Sequence, residues 1–506
     1  MKSSPPNPVP WIRFDPVLAL FLVMAAFLLF RHLGNGCLWQ DEAETAVLAK
    51  NILRFGYPRA YDGVNRLNPS LPVAAGYAWT YHPWASMYLV ALSFVLFGIS
   101  TVSARLPGAV MGLLSIALAY RLVRRLFGEK NLARWTAFLL TTSVPFLLMM
   151  RQCRYYAPSV LFSLWTVWAY LRFRRGRPWA ALEWTASLFL LFHVNHGVFV
   201  PVLMGLVLHL LIDRPLSRSQ LQHSGWLLAT VVLGILPFAF YLKTGQHHGA
   251  FSFEQLRHHA EFYFRQINRF LFPITGWAIV WLIGRPSWQG IRKWSLPLCL
   301  IGAGLLFLIP GPSQRHFRYL VFLIPWFLAI QAAWFERLAQ KRWAVAIALL
   351  GLFVFTDAVY SLPSRFTSEP RPLRSLPWEY LGELTHPYRG PMDGVVELLR
   401  REARPGQTIK IPYEDHTLLF YTDLVVEPVI HPEDFTRETF PDWIVLRRDW
   451  LPGGFLESDY FSKIRQRYRQ ITLDAPDIPW QNRPDPGYHR FLTDHQAPLV
   501  IVFHKK

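Results

Sequence analysis

The uncharged run Pro16 to Phe30 (PVLALFLVMAAFLLF) is followed, a few residues on, by Leu38-Trp39-Gln40-Asp41-Glu42-Ala43-Glu44. Such an apolar segment reads as a membrane-embedded helix. Carboxylates beside a membrane core are costly enough that they usually have a task. Acid is otherwise scarce in this part of the chain. Residues 1–360 hold 33 Lys+Arg against 12 Asp+Glu, and Asp41, Glu42, Glu44 and Asp62 all fall in the segment after the first run.

Over its 506 residues the chain is 52% hydrophobic and 16% aromatic, with long apolar runs recurring up to residue 360. That is the composition of a polytopic membrane protein. Residues 361–506 differ: they balance 19 Lys+Arg against 21 Asp+Glu and contain no candidate span. The net charge of +19 therefore belongs to the membrane part, where basic residues sit in short loops between apolar runs. This is a topology signal and argues against a nucleic-acid partner. Cys37, Cys153 and Cys299 are too scattered for a metal or redox motif. The first run lacks a cleavage pattern and is expected to stay as a signal anchor.

Candidate spans are 16–33, 104–124, 132–150, 157–172, 180–196, 197–212, 224–242, 271–284, 295–310, 318–335 and 342–360. That makes about 11 spans, with 12–13 also compatible with the soft ends. With a cytoplasmic N-terminus, Arg121, Arg124, Arg125, Lys130 and Arg134 fall inside, as do Arg172 to Arg177, Arg214, Arg218, Arg285, Arg292, Lys293, Arg337, Lys341 and Arg342. The alternation holds only if 84–98 does not cross, so that segment reads as an interfacial or re-entrant helix. The polar, titratable side chains then collect on the outer face: Asp41, Glu42 and His82, then Arg154, Tyr155 and Tyr156, then His193 and His196, then His247 and His248, then Arg315, Arg318 and Tyr319.

The expected organisation is a transmembrane domain over 1–360, with an outer loop at 34–103 carrying the acids and interfacial helices. A Pro-rich linker at 361–391 leads to a small α/β domain at 392–506, periplasmic by span parity. Within that domain, Met392 to Arg404 and Tyr460 to Arg469 read as helices, and 408–411, 443–446 and 499–503 as strands.

Several segments, taken in order, resemble glycosyltransferase family 39, which includes protein O-mannosyltransferases and, as close kin, the lipid A aminoarabinose transferases. These are Asp41-Glu42-Ala43-Glu44-Thr45-Ala46 with Gly56-Tyr57-Pro58, Tyr81-His82-Pro83-Trp84, Ser103-Ala104-Arg105-Leu106-Pro107, Arg154-Tyr155-Tyr156-Ala157, and Arg318-Tyr319 to Pro325. The ordered set covers about residues 38–330. The resemblance implies a bacterial member with a GT-C-like, α-helical polytopic membrane fold and a C-terminal periplasmic α/β domain. It implies a location in the inner membrane, a polyprenyl-phosphate-linked sugar as donor, and transfer on the outer face to an acceptor that could be protein, lipid A, glycan or lipid. One departure is plain: His82-Pro83-Trp84 stands where the aminoarabinose transferases have Lys-Pro-Pro.

Transfer from a lipid phosphate needs a base for the acceptor proton, cations for the leaving phosphate and an apolar groove for the tail. By the resemblance, Asp41 is the expected base and Glu42 a partner that positions the acceptor or a metal. Locally, Asp41 could equally cap the following helix, with Glu44 completing a capping box. Arg315, Arg318 and His82 are expected at the donor phosphate, because guanidinium groups match phosphate oxygens in pairs; interfacial snorkelling is the alternative for the two arginines. Arg154, Tyr155, Tyr156 and Tyr319 are expected at the substrate, against the alternative of an aromatic belt. His193, His196, His247 and His248 could ligate a divalent metal ion, but their spacings are loose and no carboxylate is fixed among them, so the sequence defines no cofactor. A transporter or flippase would instead show charges in mid-span and paired broken helices, and a sensor would use the outer domain to bind a ligand.

Overall fold

The computed structural model describes residues 15–506 apart from 178, 214–215, 217–219, 221–224, 226–228, 243–251, 285–290, 312–313, 365–370, 430, 480–481 and 495. It is mostly helical, with one five-stranded sheet near the C-terminus.

Helix α1 (Pro16–Phe30) starts at Asp15, whose side chain accepts from the Val17 amide and pairs with Arg134 at 2.8 Å. It packs on α4 (Thr101–Phe127) and α5 (Lys130–Thr142). Helix α4 opens with a Ser100–Ser103 capping box and ends at Gly128 in the left-handed region. At ~1.5 Å per residue it is long enough to cross a bilayer. Gly108 and Gly112 lie against Met150 and Gln152; a Cβ at Gly108 would sit 2.8 Å from the Gln152 carbonyl oxygen. That close approach presses the 150–154 turn onto the helix.

The expected span 132–150 is two helices. Helix α5 stops at Thr142 and α6 (Val144–Met150) leaves at an angle of 66°. Ser143 caps α6, and Pro145 near its start offers no N–H to continue the ladder. Helices α7 (Tyr156–Arg174), α8 (Ala180–Val194) and α9 (His196–Ile212) follow the sequence reading closely.

The apolar run Phe317–Phe353 meets the length and composition of a span, as α4 does. It is not one rod. Residues 335 and 353 would lie ~27 Å apart on a straight helix. Yet the rings of Phe335 and Phe353 lie 5.1 and 5.2 Å from the ring of Trp277. The chain bends at Arg342, the one residue in Ile324–Phe353 with non-helical dihedrals. The expected runs 318–335 and 342–360 fall on either side of this bend, and the second is helical only to Phe353 before a further helix, Ala358–Ser364. Among the described residues six further apolar helices, including α1, α8, α9 and Ala85–Phe97, have between 10 and 17 residues.

Residues 34–103 form a layer of their own. Helix α2 (Gln40–Phe55) ends at Gly56, which takes the left-handed conformation, and isolated bridges such as Arg59–Ala78 hold the irregular chain before α3 (Ala85–Phe97). Ala43, Val47, Trp79, Val90 and Phe94 make its core, and Leu419 and Phe420 of the C-terminal part pack into the same cluster.

The C-terminal sheet comprises β1 (Thr408–Lys410), β2 (Val425–Glu427), β3 (Trp443–Leu446), β4 (Tyr468–Pro476) and β5 (Leu499–Lys505), in the order β2-β1-β3-β5-β4. Strand β1 runs parallel to β2 and β3, and β5 antiparallel to β3 and β4. Strands β2 and β4 and the helix Asp415–Tyr421 were not anticipated. Arg447, fully buried after β3, is bracketed by Glu414 and Asp477. The region expected to be a plain linker contains a docked helix, Leu376–Thr385, whose Tyr380 is buried and donates to the Leu28 carbonyl oxygen at 2.8 Å.

Candidate active site

The first turn of α2 decides what each acid can do. Its N-cap is Trp39, which makes no side-chain cap, so Asp41 lies inside the helix and no Asp41–Glu44 capping box forms. Acids in a first turn are favoured by the helix dipole, which leaves their side chains available for other partners. Successive residues are turned by about 100°, so Asp41 and Glu42 face different surroundings.

Glu42 faces inward and is fully buried. Its carboxylate accepts two bonds from Arg105, at 2.9 and 2.7 Å, and one from the Cys153 amide at 2.8 Å. The rest of the Arg105 guanidinium donates to the carbonyl oxygens of Leu33 and Asn35. Glu42 thus ties α2 to α4 and to the chain after α1. Both of its oxygens are bonded to the protein, whereas the sequence reading has it positioning an acceptor or a metal.

Asp41 faces outward. Its Oδ2 lies 2.6 Å from Arg318 Nη1 and 3.8 Å from Arg154 Nη2. Arg154 in turn donates to Glu44 Oε1 at 2.7 Å and to Thr45 Oγ1 at 3.0 Å, with His82 Nε2 at 3.4 Å. Glu44, treated in the sequence only as a capping partner, is the second carboxylate of this network. Its three-residue spacing from Asp41 on a helix was the available signal. The neighbouring Arg151 donates to the carbonyl oxygens of Leu28, Leu29 and Arg31 at the end of α1, which fixes the turn that delivers Arg154.

Burial alone would raise the Asp41 pKa. The charges of Arg318, Arg154 and Arg483 outweigh it and hold the group at about 2, so the carboxylate is ionised. Burial, with help from Arg154, pushes His82 well below the ordinary histidine value, so His82 is neutral. Burial, then Arg318, lowers His316 to about 4.

The structure brings together most of the expected site residues. Tyr155 lies under the Arg154 guanidinium at 5.2 Å and beside His82, with ring centroids 5.6 Å apart. Tyr156 packs against Tyr155, and Tyr319 lies 5.9 Å from the Arg318 guanidinium. Arg315 is set apart from Asp41: it donates to the His258 carbonyl oxygen and approaches the Phe262 ring. It still shares with Arg318 a cavity of about 730 Å³, whose wall also includes Trp39, Arg269, Arg483 and Asp485. His193 bonds the Gly234 carbonyl oxygen among Phe189, Phe192 and Phe238, and His196 opens α9. His247 and His248 lie outside the described residues. No group of three or more His, Cys, Asp or Glu side chains able to hold a metal ion occurs among the described residues. Arg105 and Arg483 have no role in the sequence reading.

The helices, the layer that carries the acids and the C-terminal sheet together form a fold shared with a solved protein, and part of the chain matches a family model. The family model for dolichyl-phosphate-mannose-protein mannosyltransferase matches residues 81–241, a stretch with His82, Arg154, Tyr155 and Tyr156 but not Asp41 or Arg318. Among solved structures, ArnT from Cupriavidus metallidurans bound to undecaprenyl phosphate superposes with a TM-score of 0.60 at 14% identity, covering 96% of this chain and 97% of that one. The apo state of the same protein gives the same values. An uncharacterized protein of Aquifex aeolicus (strain VF5) is 30% identical over 147 residues, 28% of this chain and 26% of its own length. The chain thus matches about a quarter of that relative.

Proposed function

We propose that this protein is a membrane glycosyltransferase that moves a sugar from a polyprenyl-phosphate donor to an acceptor hydroxyl or amine at the periplasmic face of the bacterial inner membrane. The observation that carries the reading is the Asp41 carboxylate, 2.6 Å from Arg318 beside a cavity rich in arginine. ArnT, whose fold it shares, was solved with undecaprenyl phosphate bound. The lipid-linked donor proposed here follows from that likeness and from the cationic wall.

In the reaction, Asp41 accepts the acceptor proton as the nucleophile attacks the anomeric carbon. The bond from that carbon to the phosphate oxygen breaks, and its electron pair leaves with the phosphate. Arg318 stabilises the charge that develops there. Of the three acids in the first turns of α2, Glu42 is paired with Arg105 and Glu44 with Arg154, which leaves Asp41 as the proposed base. The proposed course is a single displacement with inversion. Donor binding also prepares the base. A phosphate that draws Arg318 away relieves Asp41 of its main neutralising partner, and its proton affinity rises toward what catalysis needs. Arg154, Tyr155 and Tyr156 then form the sugar side of the site, with Arg315 further along the cavity.

The test is product release. Purified protein given a polyprenyl-phosphate sugar is expected to liberate free polyprenyl phosphate only when acceptor is present. Movement of the intact donor across the membrane without its breakdown would overturn the reading.

A further inference from the structure

The C-terminal part of the chain contributes residues to the cavity wall. Its loop at 482–489 reaches the outer layer and carries Arg483 to the cavity wall shared with Arg318. Arg483 is 6% exposed. Its guanidinium lies 4.1 Å from the ring of Trp39, two residues before Asp41, and donates to Tyr413 Oη at 2.5 Å. Tyr413 stacks on Trp450 with centroids 4.0 Å apart and planes 18° apart. The loop is pinned on both sides. Asn482, in the left-handed region, donates to the Cys37 carbonyl oxygen at 2.9 Å. His489 bonds the Arg483 carbonyl oxygen at 2.7 Å and the Glu383 carboxylate at 2.9 Å.

An arginine held in this way is preorganised. An aromatic ring covers a face of the guanidinium, and a guanidinium binds an anion in its own plane. Its charge already acts on the catalytic turn, since it is one of the three arginines that keep Asp41 ionised.

We propose that Arg483 is a binding residue for the phosphate of the lipid-linked donor, forming with Arg318 a two-armed clamp with one arm from the membrane domain and one from the C-terminal domain. The site is then complete only when the sheet domain is docked. The proposal rests on the glycosyl-transfer reading above. A purely structural arginine would tether the two domains and leave phosphate affinity alone.

The experiment uses the full-length protein in nanodiscs, with undecaprenyl phosphate as the probe. R483A is expected to weaken binding about tenfold or more, the scale of a charge-assisted hydrogen bond, and to raise the donor KM more than it lowers kcat. R483K keeps the charge but not the planar fork and is expected to recover only part of the affinity. Unchanged binding by R483A would overturn the clamp while leaving the glycosyltransferase reading intact. If the wild-type protein binds no undecaprenyl phosphate, the donor assignment fails and the clamp falls with it. If R483A does not fold, R483K alone decides: weaker binding supports the clamp, and wild-type binding overturns it.

Discussion

Two arginine–carboxylate pairs stand back to back at the start of α2, and they are built differently. In the inner pair, Glu42 and Arg105 are both nearly or wholly buried and every polar edge meets protein, including backbone carbonyls and the Cys153 amide. In the outer pair, the side chains of Asp41 and Arg318 are 24% and 21% exposed, and Arg318 lines the cavity. The chemistry is the same, but of these two pairs it is the outer one that solvent reaches, and the proposed reaction uses it. The inner pair fixes the helix so that the outer one is aimed.

The contrast can be broken from either side. R318A is expected to cost about 10²–10³-fold in turnover, the scale of removing a donor to developing charge, with little change in Tm. If the Tm falls as far as the rate, the outer pair is structural too. E42A should do the reverse. It leaves Arg105 buried without its counter-charge, which costs about 3–5 kcal/mol in stability, read as a loss of folded protein on heating in detergent. Retained stability there would mean that the inner layer has another anchor. G108A is expected to cost about 1–3 kcal/mol, because the new Cβ meets two backbone oxygens that cannot move aside easily. A further effect concerns pH, and near neutral pH it is small. His316 has a folded pKa of about 4, lowered first by burial and then by Arg318. Its unfolded value is near 6.5. Between those values the unfolded chain binds more protons, so His316 costs stability progressively as pH falls from 6.5 to 4. H316Q should flatten that part of the Tm-against-pH curve, and an unchanged slope would place the titration elsewhere.

Legibility in the sequence followed the range of the interactions. Helices α7, α8 and α9 were readable because apolar length is a local property. The break at Ser143 was missed because hydropathy does not register a single cap and a proline. The 361–391 segment read as a linker because prolines obscure its short helix, which is held by Tyr380 against a carbonyl 352 residues away. The ordered motifs brought out Asp41, Arg154 and Arg318, and the structure sets them side by side. The opposite fates of Asp41 and Glu42 could not be read, since the identity of the deep partner, Arg105, appears only when α2 and α4 are packed together. Arg483 carried no local signal, because its meaning comes from Trp39 and Tyr413, both distant in sequence.

The central claim is that Asp41 accepts the acceptor proton. The most direct measurement compares wild type and D41N in full-length form, following release of free polyprenyl phosphate from a polyprenyl-phosphate sugar with acceptor present, alongside binding of undecaprenyl phosphate. Asn is nearly isosteric but cannot take the proton, so D41N is predicted to bind the lipid phosphate yet lose turnover by about 10²–10⁴-fold. Turnover by D41N at the wild-type rate would contradict the account.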